Sequence, residues 1–490
     1  MGGGSHYWLT RLVFTRTLAL VYLIAFLCAL NQFRPLLGQH GLQPVPDYIS
    51  RVPFRASPSL FYVLPKDWAF AGFAWAGIAL SCVAISGIAD RQAIWWSSLV
   101  WGLIWVLYLS FVNVGQTFYG FGWESILLEA GFFAMFLGPS RAEPPILAIL
   151  AIRWLEFRIM FGAGLIKMRG DPCWHGLTCL NYHYETQPMP NPLSWYLHRS
   201  PAWTHTAGVA FNHFSELVVP FAYFLPQPVA SIAGVLTIVF QAFIMASGNL
   251  SWLNFLTMVL AIPLIDDRLI DDVRLAALIH VHVPELAAPG MTSRVLVYAM
   301  AAIVIALSVR PVLNMMSPDQ TMNASYNPLH LVGTYGAFGG ITRVREEVIV
   351  EGTADAAISA TSQWREYEFK GKPGATGRMP PQIAPYHLRL DWLMWFAAMS
   401  DYSQNPWFVN FVGKLLQGDK AILGLLRTNP FPDKPPNYIR ARLYEYHFTT
   451  ADERRRTGQW WTRSLTEEYF PAVSLSDPAF RGFLKQNGWL

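Results

Sequence analysis

ILAILAIRWLEFRIMFGAGLIK, residues 146–167, has the length and apolarity of a membrane helix but carries Arg153, Glu156, Arg158 and Lys167. A bilayer needs about 20 predominantly apolar residues per helix, and ionisable groups at that depth are costly and tend to be functional. At about 100° per residue, Glu156 and Lys167 fall within about 20° of one another, with Arg153 close by and Arg158 on the opposite side. Gly162 and Gly164 leave room for a neighbouring helix to approach. The stretch therefore predicts a helix inside a bundle, with a stripe of Arg153, Glu156 and Lys167 turned to one side.

Similar apolar runs lie to either side, at 12–32, 67–87, 94–115, 123–138, 203–224, 229–247, 252–265 and 294–311. With 145–166 they predict eight or nine crossings, since the fourth and eighth are short. Trp95, Trp96, Trp203 and Trp252 sit at the ends of runs, as interfacial anchors do. Only 14% of the 490 residues are charged, against about 25% in soluble domains, and the mean hydropathy is +0.28. The deficit is confined to the region up to about residue 311. The expected architecture is a multispan α-helical membrane bundle over 1–311, with a loop at 167–202, followed by a soluble α+β domain over 312–490. A net charge of +4 without a basic block argues against nucleic acid as a partner.

The sixth run, WTHTAGVAFNHFSELVVPF, places His205, Asn212 and Glu216 on one face, with His213 one turn from Glu216. The fourth run adds Glu124 and Glu129. Two readings stand side by side: these groups pair to hold the bundle together, or they line a functional cavity. Lys167, at a helix end, either snorkels to the interface or serves as a base in a partly buried site. A metal centre is not expected, because no second cluster stands at matched spacing, and no cofactor motif occurs.

Beyond Lys167 the chain continues MRGDPCWHGLTCLNYHYETQPMPNP. Cys173 and Cys179 are close enough to bridge. Zinc is the rival, but the nearby histidines do not complete a standard ligand spacing, so a disulfide in an oxidising compartment is expected. His183 and Tyr184 then cap the polar cavity. Cys28 and Cys82, in apolar runs, read as small buried residues. The Lys and Arg count is balanced across alternate loops and gives no orientation. Nine helices and a cytoplasmic N-terminus place the cysteine loop and the C-terminal domain together on the extracytoplasmic side.

In the tail, TRVREEVIVEGT, QWREYEFKGKPG and PNYIRARLYEYHFTT alternate polar and apolar residues as strands do, and RRRTGQWWTRSL leads towards a fourth. HLRLDWLMWFAAMS and PWFVNFVGKLLQGDKAILGLLRT read as amphipathic helices. Trp392 and Trp395 either form a face for client proteins or belong to the core.

The block RWLEFRIMFGAGLIKMRGDPCWHGLTCLNYHYETQPMPNPLSWYLH resembles the most distinctive segment of the lipase maturation factor family. NPLHLVGTYGAFGGITRVREEVIVEGT, PPQIAPYHLRLDWLMWFAAMS and LLRTNPFPDKPPNYIRARLYEYHFT extend the resemblance through the tail. It implies a polytopic membrane protein that helps secreted lipases fold and assemble, acting as a chaperone rather than a known enzyme. Its partners would be folding clients, engaged by the extracytoplasmic domain. The setting would be the endoplasmic reticulum membrane in a eukaryote, or the inner or plasma membrane in a bacterium. The membrane half is also similar to vitamin K-dependent gamma-carboxylase, which implies an alternative: a membrane enzyme with Lys167 as catalytic base, helped by Glu156, Glu124 or His205. Glu124 stands where that enzyme carries a histidine, which counts against carboxylation itself.

Overall fold

A computed structural model describes residues 4–91, 94–272 and 285–490. The apolar runs lie on α1 (Trp8–Leu37), α2 (Asp67–Ile85), α3 (Ile94–Asn113), α4 (Gly122–Ala134), α5 (Ile146–Arg169), α6 (Ala202–His213), α7 (Val229–Ser247), α8 (Leu253–Ala261) and α9 (Met291–Met316). Among the described residues, α1, α2, α3, α7 and α9 are long and apolar enough to cross a membrane. The other four miss that measure for separate reasons. α4 has 13 residues and α8 has 9. α5 has 24, but with the charges named above. α6 is followed by a wider π-type turn at Phe214–Val218 and a tight turn at Val219–Phe224, so its helical path is not uniform.

The helices bury one side and show apolar residues on the other. α1 turns Phe14, Leu18, Tyr22 and Phe26 fully inward, while α7 exposes Ile232, Val235, Val239 and Phe243, and α9 exposes Val295, Leu296, Ile305 and Val309. Apolar faces of that extent suit lipid rather than water. Cys28 is buried as expected, but Cys82 is exposed on the outer face of α2, a correction to its reading as a buried residue. α9 continues through Pro311 to Met316, beyond the boundary expected at 311.

The tail begins with a two-residue pairing of β1 (Ala324–Ser325) and β2 (Gly333–Thr334). Its main sheet is antiparallel, in the order β4-β3-β5-β6, from β3 (Arg345–Thr353), β4 (Arg365–Glu366), β5 (Tyr438–Phe448) and β6 (Trp461–Val473). Val348 lies opposite Leu443 in the central pair. The segment 363–374 forms far less strand than its alternation predicts. After Tyr367, Gly371 and Lys372 turn their N–H groups to the Asp391 carboxylate, at 2.5 and 3.2 Å, instead of to a neighbouring strand. The amphipathic helices appear as α10 (Arg389–Ala398) and α11 (Pro406–Gln417).

The tail packs against one end of the bundle. Gln32 near the end of α1 donates to the His387 carbonyl at 2.6 Å, and Asn113 at the end of α3 donates to the Pro328 carbonyl at 3.0 Å. Asp171, just past α5, donates its N–H to the Gly339 carbonyl at 2.8 Å. Asn249, just past α7, donates to Pro381 at 2.8 Å and accepts from the N–H groups of Ile383 and Ala384.

Candidate functional site

α5 and the α6 path touch where their small residues allow. A Cβ on Gly164 would lie 2.7 Å from the end of the Leu217 side chain and 3.0 Å from the Cβ of Glu216, so a larger residue there would make the neighbouring segment shift. The π-type turn carries Glu216 at this crossing, as such turns often do at functional positions. Lys167 Nζ donates to Glu216 Oε1 at 2.5 Å and to Asn212 Oδ1 at 3.1 Å, and Asn212 Nδ2 donates to Glu216 Oε2 at 3.0 Å. All three side chains are buried. The ammonium lies 5.0 Å from the centre of the Trp174 ring, close enough for a cation–π contact. Lys167 therefore turns inward and does not snorkel.

Trp174 belongs to the loop closed by the Cys173–Cys179 disulfide, whose Cα atoms are 4.9 Å apart. The loop is held from several directions. Trp174 Nε1 donates to the Phe338 carbonyl at 2.9 Å, and His213 Nε2 lies 3.0 Å from the Trp174 carbonyl. Asp171 caps the turn by accepting from the Cys173 N–H and pairs with Arg343 at 2.6 Å. The Arg343 hydrogen bond holds the Asp171 carboxyl below its ordinary range. His183 lies near the same cluster. Burial, and then the charge on Lys167, push it down to about 4.

Other residues singled out from sequence lie elsewhere. Glu156 is on α5 with Lys167, but about 16 Å away along the axis, and neither of its oxygens has a hydrogen-bond partner among the described residues. Arg153 donates to the carbonyls of Pro263 and Tyr223 and to the Tyr7 hydroxyl. The stripe of Arg153, Glu156 and Lys167 thus shares a helix face without meeting. Arg158, on the opposite side, pairs with Glu129. His205 shares its helix face with Asn212 but bonds Asn181 and the Leu197 carbonyl, both at 2.8 Å, and its ring lies 5.7 Å from Tyr184. His205 and Tyr184 support the loop from outside the lysine cluster.

Glu124 is taken by the tail. Arg389 Nη1 lies 2.8 Å from its Oε1, Tyr108 donates to its other oxygen, and the Arg389 guanidinium stacks 3.4 Å from the Tyr119 ring. Sequence reasoning missed Arg389, although an arginine alone on an otherwise apolar helix face, with an unpartnered Glu124 elsewhere, was a usable signal. Trp174 was missed as well.

A cavity of about 520 Å³ adjoins Lys167 and Glu216, walled by α4, α5, α7, α8, the segment 335–340 and α10. Trp392 and Trp395 both border it. Trp392 is buried and Trp395 half-buried, donating to the Thr186 carbonyl at 3.2 Å, while Phe396 of the same helix and Met399 just past its end are exposed. Among the described residues no group of three or more His, Cys, Asp or Glu is placed to hold a metal ion.

The chain matches the family described as "Lipase maturation factor transmembrane domain" over residues 9–272 and "Lipase maturation factor C-terminal domain" over 331–471. Lipase maturation factor 1 of Bos taurus is 43% identical, with 99% of this chain and 92% of that protein covered. Its counterpart in Homo sapiens is 42% identical over 99% and 90%. Lipase maturation factor 2 of Xenopus tropicalis is 30% identical over 98% and 84%. No solved structure matches the chain.

Proposed function

The chain belongs to the lipase maturation factor family, and we propose that it is a membrane-embedded factor assisting folding and assembly of extracytoplasmic clients, with lipases as the first class to test. The observation that carries this reading is the 43% identity to a lipase maturation factor, sustained over 99% of the chain. The family match lends no support to a carboxylase activity.

We read the topology as nine crossings with the tail and the disulfide loop outside the cytoplasm. The positions of the helix ends support this. The C-terminal ends of α1, α3, α5 and α7 all contact the tail, and α4 begins beside it. That alternation is what successive crossings produce, with α4 and α8 as short crossings inside protein and α6 as an irregular one. The loop and tail also contact each other. Arg345 on β3 donates to the carbonyls of Glu185, Gln187 and Pro188 at 2.6–3.2 Å, so both need the same side. A disulfide suits the extracytoplasmic one. The compartment is the endoplasmic reticulum membrane in a eukaryotic host, or the plasma or inner membrane in a bacterial one.

In this account Lys167, Asn212 and Glu216 are positioning residues. They fix α5 to α6 and hold Trp174, and with it the disulfide loop, over the cavity. The decisive experiment is complementation: expression in cells that lack their own lipase maturation factor, with secreted active lipase measured against the abundance of this chain.

A further inference from the structure

The cavity beside Lys167 has the size of a small-molecule site, which typically spans about 300–1,000 Å³. Its wall includes Ile126 of α4, Ile159, Met160 and Ala163 of α5, Ile244 of α7 and Leu253 of α8. These are apolar residues inside the helical bundle, and Ile126, Ile159, Met160 and Ala163 are buried. On the tail side Met322 and Phe396 also border it, and both are more than two-fifths exposed.

Polar residues also border the cavity, among them Thr117, Asn254, Thr257, Asn323 and Asn405, and two polar features bear on what it could bind. One is the Lys167–Glu216 pair, whose charges already cancel. The other is Gln241. Its Oε1 accepts from Asn254 Nδ2 at 2.6 Å, but its Nε2 donates only to Met160 Sδ, at 3.1 Å. A thioether is a weak acceptor, so a buried amide donor on the wall is left poorly satisfied.

We propose that this cavity binds an uncharged amphiphile from the bilayer, with one long hydrocarbon chain along the Ile159–Ala163 wall and an ester or carbonyl oxygen accepting from Gln241 Nε2. A client peptide fits less well. Every peptide unit brings an N–H and a C=O that need partners, and the side chains of Ile159, Met160 and Ala163 offer no hydrogen-bonding group beyond a thioether. An anionic head fits less well too. With Lys167 committed to Glu216, an added charge would be buried without a counter-ion. α7 has two sides: Gln241 and Ile244 line the cavity, while Val239 and Phe243 are exposed on the outer, lipid-facing side.

The test uses the full chain in nanodiscs and a monoacylglycerol carrying a diazirine on its acyl chain, with a diazirine fatty acid as the charged comparison. Irradiation followed by peptide mapping is expected to label peptides of α5 and α8 with the uncharged probe in preference to the fatty acid. Ala163→Phe, which fills the cavity, is expected to reduce that labelling about tenfold. Gln241→Leu keeps the volume and removes the donor, and is expected to weaken labelling about three- to tenfold. If Ala163→Phe does not accumulate, Gln241→Leu decides alone. Labelling confined to outer positions such as Ile305 and Val309, labelling indifferent to both substitutions, or a preference for the fatty acid would overturn the proposal. None of these readouts involves a lipase, so failure here leaves the maturation reading untouched, and failure there leaves this one.

Discussion

Lys167 Nζ lies 2.5 Å from Glu216 Oε1 in a buried cluster that also holds the aromatic lid of the disulfide loop. Removing one member of such a pair strands the other charge, at a cost of about 3–5 kcal/mol. Lys167→Ala should therefore lower abundance and maturation together. Replacing both partners with apolar residues, Lys167→Met with Glu216→Leu, should restore much of each. Lipase activity normalised to abundance checks this. A Lys167→Ala protein that accumulates normally yet matures nothing would point to chemistry at the lysine instead.

Arg389 joins the tail to the membrane half through Glu124 and the Tyr119 ring. Arg389→Ala should cost about 3–5 kcal/mol, since Glu124 stays fully buried. Arg389→Lys keeps the charge but loses the planar stacking and the forked donors, so it should fall between. Thermal unfolding in detergent measures both, and equal behaviour of the two variants would contradict this view of the contact.

The Cys173–Cys179 bridge closes a short loop, for which chain entropy alone gives about 2 kcal/mol. Asp171 and Trp174 hold the same loop independently. Cys173→Ser with Cys179→Ser should thus destabilise moderately and leave the protein inserted. A thiol-alkylation shift on the native protein should report no free thiol at these positions.

His183 and His330 are both pushed from 6.5 to about 4, His330 by burial and His183 by burial and then Lys167. Between those values the unfolded chain binds more protons than the folded one, so stability falls as pH drops from 6.5 towards 4 and is fully present above 6.5. His447, raised by Glu445 and Glu185 against burial, works in the opposite sense. His183→Gln with His330→Gln should flatten the dependence of the melting temperature on pH in that window. An unchanged slope would refute the assignment.

Much of the membrane half was legible because each apolar run has to become a buried or lipid-facing helix. The charged groups were less legible. A shared helix face states which side a residue points to, and the partner depends on what packs there. Lys167 met Glu216 because Gly164 let α6 approach, whereas Arg153 met backbone carbonyls and Glu156 met no polar partner among the described residues. Glu124 found its arginine in the distant tail, a pairing that no periodicity reveals. In the segment 363–374 alternation predicted a strand, but Asp391 drew the backbone donors away from the sheet.

The most direct test is complementation of cells lacking a lipase maturation factor with this chain, while a secreted lipase is co-expressed. The account predicts recovery of active secreted lipase in proportion to the abundance of the inserted protein. Normal abundance and insertion with no active lipase, across several lipases, would contradict it.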